Sequence, residues 1–298
     1  MIRAAGITKK FGSFTALDEV TCNILDGCVY GLVGSNGAGK STFLRVLAGI
    51  YKPDEGVAYF DDEPVYENPS VKEQISFVAD ELYFLTGANM KKMALMYKRL
   101  YDNFDMDRFN ELTRIFGLDP DKNIANFSKG MRRQASIILT LSTRAKYMFF
   151  DETFDGLDPV MRNLVKKLIC DDVAEKGSTV IITSHSLREL EDICDHLALL
   201  HKGGLVLDSD VLEMKTTQFK VQVAFEGDMP VVSEGIKVLH KISTGRVHTL
   251  ILKCTQEEAK RVFAPMKPLI FDILPLTLEE IFIYELGGVD YVVKDFIF

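Results

Sequence analysis

The chain has 298 residues, with 35 Lys and Arg against 43 Asp and Glu and a formal net charge of −8. That length admits two domains, and the composition excludes a collagenous, low-complexity or wholly disordered chain. A mildly acidic balance argues against non-specific nucleic-acid binding, which runs on positive surface.

The longest apolar run, Met93 to Tyr97, is far short of the about 20 residues that a bilayer-spanning helix needs. The N-terminus lacks the apolar stretch of a secretory signal, so a cytosolic location is expected. The five cysteines, Cys22, Cys28, Cys170, Cys194 and Cys254, form no C-x-x-C pair and show no zinc spacing. They read as plain buried or half-buried thiols.

In chain order, Cys28–Val33 is a short apolar strand ending in a Gly-rich turn. Ser41–Ile50 follows as a helix with Phe43, Leu44, Leu47 and Ile50 at helical spacing. Asn89–Asn103 and Asp105–Phe116 read as helices, the second stopped by Gly117 and Asp119-Pro120. Together they suggest a helical insertion over about 82–127. Tyr147–Phe150 and Thr179–Ile182 are apolar on consecutive residues, as strands covered on both faces should be. Val160–Ala174 reads as a helix led by Pro159. Beyond about residue 210 the pattern changes. Phe219–Phe225 and His248–Lys253 alternate as half-buried strands, and Thr255–Phe263 and Leu278–Glu285 look helical.

The expected fold is therefore α/β: a P-loop nucleotide-binding core with a helical subdomain over 1–210, then a small α+β C-terminal domain over 211–298.

The stretch Gly34-Ser35-Asn36-Gly37-Ala38-Gly39-Lys40-Ser41, continued by Thr42, fits G-x-x-x-x-G-K-[ST] between a strand and a helix. Chance supplies its four constrained positions in about one chain of this length in a hundred. Glycines let backbone N–H groups turn inward around a phosphate, and the new helix adds its own unpaired N–H groups. Lys40 would reach the terminal phosphates of a nucleotide, and the Ser41 hydroxyl would ligate Mg²⁺.

Asp151 and Glu152 end a buried strand. The first is placed to hold the ion directly or through water, the second to orient or deprotonate an attacking water. His185 closes another parallel strand on the edge where ligands gather in such sheets, which suggests a contact to the γ-phosphate.

This order of motifs resembles that of the ATP-binding cassette (ABC) proteins, the ATPase subunits of ABC transporters, over about residues 1–210. Phe127-Ser128-Lys129-Gly130-Met131 stands at the family's signature, Leu157-Asp158 at its D-loop and His185 at its switch histidine. Phe11 stands at the aromatic that stacks on adenine. The resemblance implies that Glu152 is the general base, that Asp151 is the Mg²⁺ partner, and that Ser128 and Gly130 touch the γ-phosphate bound to a second cassette, in a homo- or heterodimer.

Two departures stand out. Lys129 and Met131 replace the signature's usual glycine and glutamine. Asp80 replaces the glutamine that offers an oxygen to Mg²⁺; it either ligates the ion or is simply solvated. The resemblance further implies a separate integral membrane subunit docked on the helical insertion, a location at the inner face of the membrane through that partner, and no nucleic-acid partner. The segment Leu276–Phe282 is similar to one in the appendage of bacterial exporter ATPases, a packing or dimer-stabilising module or else a regulatory site. Val292–Phe298 reads as a terminal strand or an interface. ATP-driven export is the leading function. A soluble ABC ATPase, or a low-turnover nucleotide-dependent clamp, is the alternative.

Overall fold

The computed structural model describes residues 1–227, 229–230 and 236–286. The chain divides into two compact units, Met1–Asp208 and the part from Ser209 onward. Val292–Phe298 lies outside the described residues.

The first unit is organised around a six-stranded sheet. Its order is Gly204–Asp210, His196–His201, Val29–Val33, Thr179–Ser184, Tyr147–Asp151, Ile75–Val78. Val29–Val33, Tyr147–Asp151 and Thr179–Ser184 are buried along their whole length, which is why their residues are apolar without alternation. The inner pairings are parallel, with Val33 beside Ser184, Asp151 beside Thr183 and Val78 beside Phe150. The carboxyl ends of four strands therefore reach one edge, and the loops that leave them carry Gly34–Gly39, Glu152, His185 and Asp80.

A second, antiparallel sheet joins Phe14–Ile24, Ile2–Phe11, Glu55–Phe60 and Glu63–Pro64. Its Ile2, Ile7, Leu17 and Val20 pack in one core with Phe43, Leu44 and Leu47 of the helix Lys40–Leu47 and with Tyr147 and Phe149 of the central sheet. Each fully buried side chain of this size contributes about 2 kcal/mol by removal from water. The helix that opens at Lys40 is thus anchored on its apolar face, leaving its N-terminus at the sheet edge.

The helical insertion consists of Met90–Leu100 and Met106–Ile115, packed with Lys129–Ser142. Side chains of Asn89, Asp105 and Ser128 cap the three helices, accepting from Lys92, Arg108 and Met131 amides. The third is buried from Ala135 to Ser142, with Ala135, Ile137, Ile138, Leu139 and Leu141 each inaccessible, so its C-terminal half is enclosed in the core while its first turns, with Lys129 and Arg132, reach solvent.

The second unit has an antiparallel sheet in the order Lys237–Thr244, Val247–Lys253, Gln218–Ala224, Ile270–Pro275. Phe219, Val221 and Val223 project to one face, where Ala259 and Phe263 of the helix Gln256–Phe263 complete a core with Leu250 and Leu252. That helix starts with a reciprocal capping box between Thr255 and Glu258. Thr277 and Glu280 make the same bonds ahead of Leu278–Leu286.

Candidate nucleotide site

The loop after Val29–Val33 is shaped by glycine at positions that other residues could not take. Gly39 has φ +110°, and a Cβ there would lie 2.5 Å from the Ala16 carbonyl oxygen. A Cβ on Gly34 would lie 2.5 Å from that of Leu200. The loop closes through Ala38 N–H to Ser35 O at 3.0 Å. No side chain caps the helix Lys40–Leu47 and no acidic residue occupies its first turn. Its leading N–H groups and positive dipole end therefore face outward, ready for an anion.

Lys40 is buried to 5% exposure and its ammonium is tightly held. It donates to Gly34 O at 2.6 Å and Ser35 O at 3.3 Å, and lies 2.9 Å from Glu152 Oε1. The other Glu152 oxygen lies 3.0 Å from His185 Nδ1. One carboxylate thus spans the loop lysine and the histidine that follows the neighbouring strand Thr179–Ser184. Asp155 adds its carboxylate, with ligand atoms of Glu152, Asp155 and His185 all within 4.8 Å of one another. Glu152 has φ +45°, a left-handed conformation uncommon for a residue other than glycine.

Asp151 is fully buried. Its Oδ1 accepts from Ser41 Oγ at 3.0 Å and Thr183 Oγ1 at 2.7 Å, while Oδ2 has no partner among the described residues. Burial pushes its carboxyl above the ordinary value, against the pull of the bonds from Thr183 and Ser41. An orphaned carboxylate oxygen beside a serine hydroxyl is a donor set that suits a hard divalent cation, so these residues fit magnesium. Thr183 also accepts from the Glu152 amide at 3.0 Å, tying the two acidic residues to the neighbouring strand.

Asn36 to Thr42, with Ala16, Phe14, Asp80 and Glu152, line a cleft of about 270 Å³. Phe11, Ser128, Gly130 and Asp158 do not line it. Phe11 sits at the end of its strand, 45% exposed, edge-on to Tyr51 at 5.6 Å, with Lys9 Nζ 5.5 Å from its ring. Phe14, its strand partner across the turn, is the aromatic that lines the cleft. Ser128 and Asp158 cap helices, Asp158 accepting from the amides of Val160 and Met161 at 3.0 Å each. A Cβ on Gly130 would lie 3.1 Å from Gly156 O, so the signature segment rests against the turn between Glu152 and Asp158.

Sequence reasoning did not find Phe14, Asp155, the bonds of Thr183, or Glu189. Glu189 accepts from Ser184 Oγ at 2.7 Å and pairs with Arg162 at 3.0 Å, and Ser184 Oγ in turn accepts from Ser186 N at 3.0 Å. His185 therefore sits in a loop stapled on both sides. Only the strand-end position of Thr183-Ser184-His185 carried a signal for this.

A parallel sheet whose edge carries a phosphate loop, a buried Asp bonded to the loop serine, and a Glu bonded to the loop lysine defines a P-loop nucleoside-triphosphate-binding protein. The ABC transporter family model matches residues 17–155. The ABC transporter ATP-binding protein YtrB of Bacillus subtilis is 31% identical over 288 residues, covering 97% of this chain and 99% of that protein. The daunorubicin/doxorubicin resistance ATP-binding protein DrrA of Streptomyces peucetius is 31% identical over 222 residues, 72% of this chain and 67% of that protein. The bacitracin transport ATP-binding protein BcrA of Bacillus licheniformis is 29% identical over 209 residues, 69% of this chain and 68% of that protein.

Among solved structures, an ATP-binding subunit of an ABC transporter superposes with a TM-score of 0.67 at 22% identity, over 72% of this chain and 91% of that one. The cassette MJ0796, in a dimeric post-hydrolysis state bound to ADP and Pi, gives 0.64 at 20% identity, over 71% and 99%. The fold is that of an ABC ATPase cassette followed by a small additional domain. The chain belongs to the ABC transporter ATP-binding protein family, and it is an ATP-binding and ATP-hydrolysing subunit of an ABC transporter. Among the described residues no helix is long and apolar enough to cross a membrane.

Proposed function

We propose that the chain binds ATP with magnesium in the cleft at Lys40 and works as one of two cassettes that drive a separate integral membrane subunit, in the direction of export. The observation that carries this reading is the convergence of Lys40, Ser41, Asp151, Glu152 and His185 at one sheet edge.

In this reading the loop amides of Gly34–Ser41 and the ammonium of Lys40 hold the β- and γ-phosphates, with Thr42 and Phe11 on the nucleotide beyond them. Ser41 and Asp151 would hold the ion, which would supply positive charge against that of the phosphates. Glu152 takes a proton from the attacking water, and His185 orients the γ-phosphate and Glu152 together. Ser128 and Gly130 reach the γ-phosphate of the second cassette, with Asp158 at the contact between the two. Export is favoured by the similarity to DrrA, a daunorubicin/doxorubicin resistance ATP-binding protein, and to BcrA, a bacitracin transport ATP-binding protein. The membrane subunit would hold the chain at the inner face of the membrane.

The test is sedimentation velocity of Glu152→Gln with and without MgATP, beside ATPase assays of the parent. ATP-dependent pairing of the variant, with ATPase activity in the parent that rises more than linearly with protein concentration, is expected. A variant that binds ATP yet stays monomeric at all concentrations would overturn the paired reading.

A further inference from the structure

Asp80 is the residue of the cleft whose role the preceding assignments leave open. It follows the strand Ile75–Val78 and lines two cavities at once: the nucleotide cleft, and a neighbouring groove of about 450 Å³ shared with Lys129, Arg132 and Arg133. The partner of its carboxylate is Arg133. The guanidinium donates from Nη2 to Asp80 Oδ1 at 2.9 Å and from Nη1 to Ala79 O at 2.9 Å. Arg133 is 2% exposed and Asp80 57%, so the cation is fixed in the core and the carboxylate is held by it. Arg133 belongs to the helix capped by Ser128, and the five-residue step from Ser128 to Arg133 covers about 7.5 Å of helix axis.

A carboxylate on the wall of a cleft that receives a triphosphate repels it unless the charge is compensated. A buried guanidinium is suited to that task, being always protonated and planar, with donors enough for a carboxylate and a carbonyl together. We propose that Asp80 is a positioning residue whose charge is taken up by Arg133, so that the pair ties the cleft wall to the helix led by Ser128 and Asp80 does not serve as a magnesium ligand. The proposal rests on the nucleotide reading of the cleft. It gives the aspartate a use that the glutamine of related cassettes does not have: an ionic link between the site that holds ATP and the helix that faces a second cassette.

The test is equilibrium binding of ATP to the full chain in EDTA, followed by magnesium titration of ATPase activity, for the parent, Arg133→Gln, Asp80→Asn and the double variant. Arg133→Gln leaves Asp80 uncompensated and should weaken metal-free ATP binding about 5- to 10-fold, the effect of one like charge some 7 Å away in a partly screened site. The double variant should return within about twofold of the parent. The magnesium concentration for half-maximal turnover should match in parent and double variant.

Single effects that simply add in the double variant, or a magnesium requirement that rises whenever Asp80 is replaced, would overturn the proposal. If Arg133→Gln does not fold, Arg133→Lys, which keeps a cation, takes its place: metal-free ATP affinity within about twofold of the parent is expected, and a loss of about 5- to 10-fold despite the retained charge overturns the pair. A parent that binds no ATP overturns the nucleotide reading and the pair with it. A parent that binds, with additive variants, overturns the pair alone.

Discussion

The ammonium of Lys40 lies 2.9 Å from Oε1 of Glu152, and both side chains are largely withdrawn from solvent. In the proposed mechanism, the lysine that a phosphate would claim is therefore already engaged by the carboxylate that a nucleophilic water would approach. A γ-phosphate at Lys40 would compete with Glu152 for the same cation, each gain in one contact loosening the other. Binding of nucleotide and release of the carboxylate toward water would become one event.

Glu152→Gln removes both the proton acceptor and the competing charge. ATP affinity should hold or rise, while turnover falls about 10²-fold or more, the usual worth of a general base. Nucleotide titration together with single-turnover hydrolysis checks this. Hydrolysis at the parent rate would show that another group takes the proton.

Lys40→Ala would delete a charge-assisted contact to the phosphates and leave Glu152 Oε1 without its cation beside the loop. ATP affinity should drop about 10- to 100-fold, as expected for hydrogen bonds to a charged group. Titration calorimetry measures it, and undiminished affinity would contradict the role given to the loop.

Glu189 acts at a distance from the nucleotide. Its carboxylate joins Arg162, in the helix Pro159–Lys176 that starts after Asp158, to the Ser184 hydroxyl, which in turn accepts from the Ser186 amide on the other side of His185. Glu189→Ala should lower kcat about 10-fold or more with little change in KM for ATP, because His185 loses its orientation rather than its chemistry. It should also destabilise the first unit by about 3 kcal/mol, the lower end for breaking a buried pair, since Arg162 is partly exposed. Urea unfolding and steady-state kinetics on the same variant separate the two effects.

Asp61 supplies a pH dependence. Lys146, at 2.6 Å, and the N-terminal ammonium, at 2.6 Å, hydrogen-bond its carboxylate and hold it well below the usual carboxylate range. A carboxyl group depressed on folding contributes stability that is present above its unfolded value near 4 and is lost as pH falls through the folded one. The stability gap between the parent and Asp61→Asn should therefore be widest at neutral pH and shrink below about pH 4. Unfolding midpoints at pH 7 and pH 3 report it, and a gap that does not change would remove Asp61 from the acid limb.

What the sequence disclosed depended on how local each signal was. The phosphate loop, the buried strands Tyr147–Asp151 and Thr179–Ser184, and the helix around Phe109 are set by neighbouring residues, so spacing and apolar runs revealed them. The antiparallel pairing of Ile2–Phe11 with Phe14–Ile24 and Glu55–Phe60 is long-range, and nothing within those segments names their partners. The same is true of Lys237–Thr244 and Ile270–Pro275, edge strands too exposed to show a clean alternation. Asp80 was visible as a departure, but its bond to Arg133 joins residues 53 apart in the chain. Glu189 gave no sign at all, because a buried glutamate in a short helix reads as surface until Arg162 and Ser184 are seen beside it.

The unbonded oxygen of Asp151 has a bearing on endurance as well as chemistry. A sealed-off anionic atom with no donor among the described residues is a weakness at the centre of the cassette, typically of order 1–3 kcal/mol. A divalent ion arriving with its nucleotide would cure that weakness and add its own binding energy. The protein should then resist heat better when loaded with both than with nucleotide alone, and its most fragile moments fall between one round of work and the next.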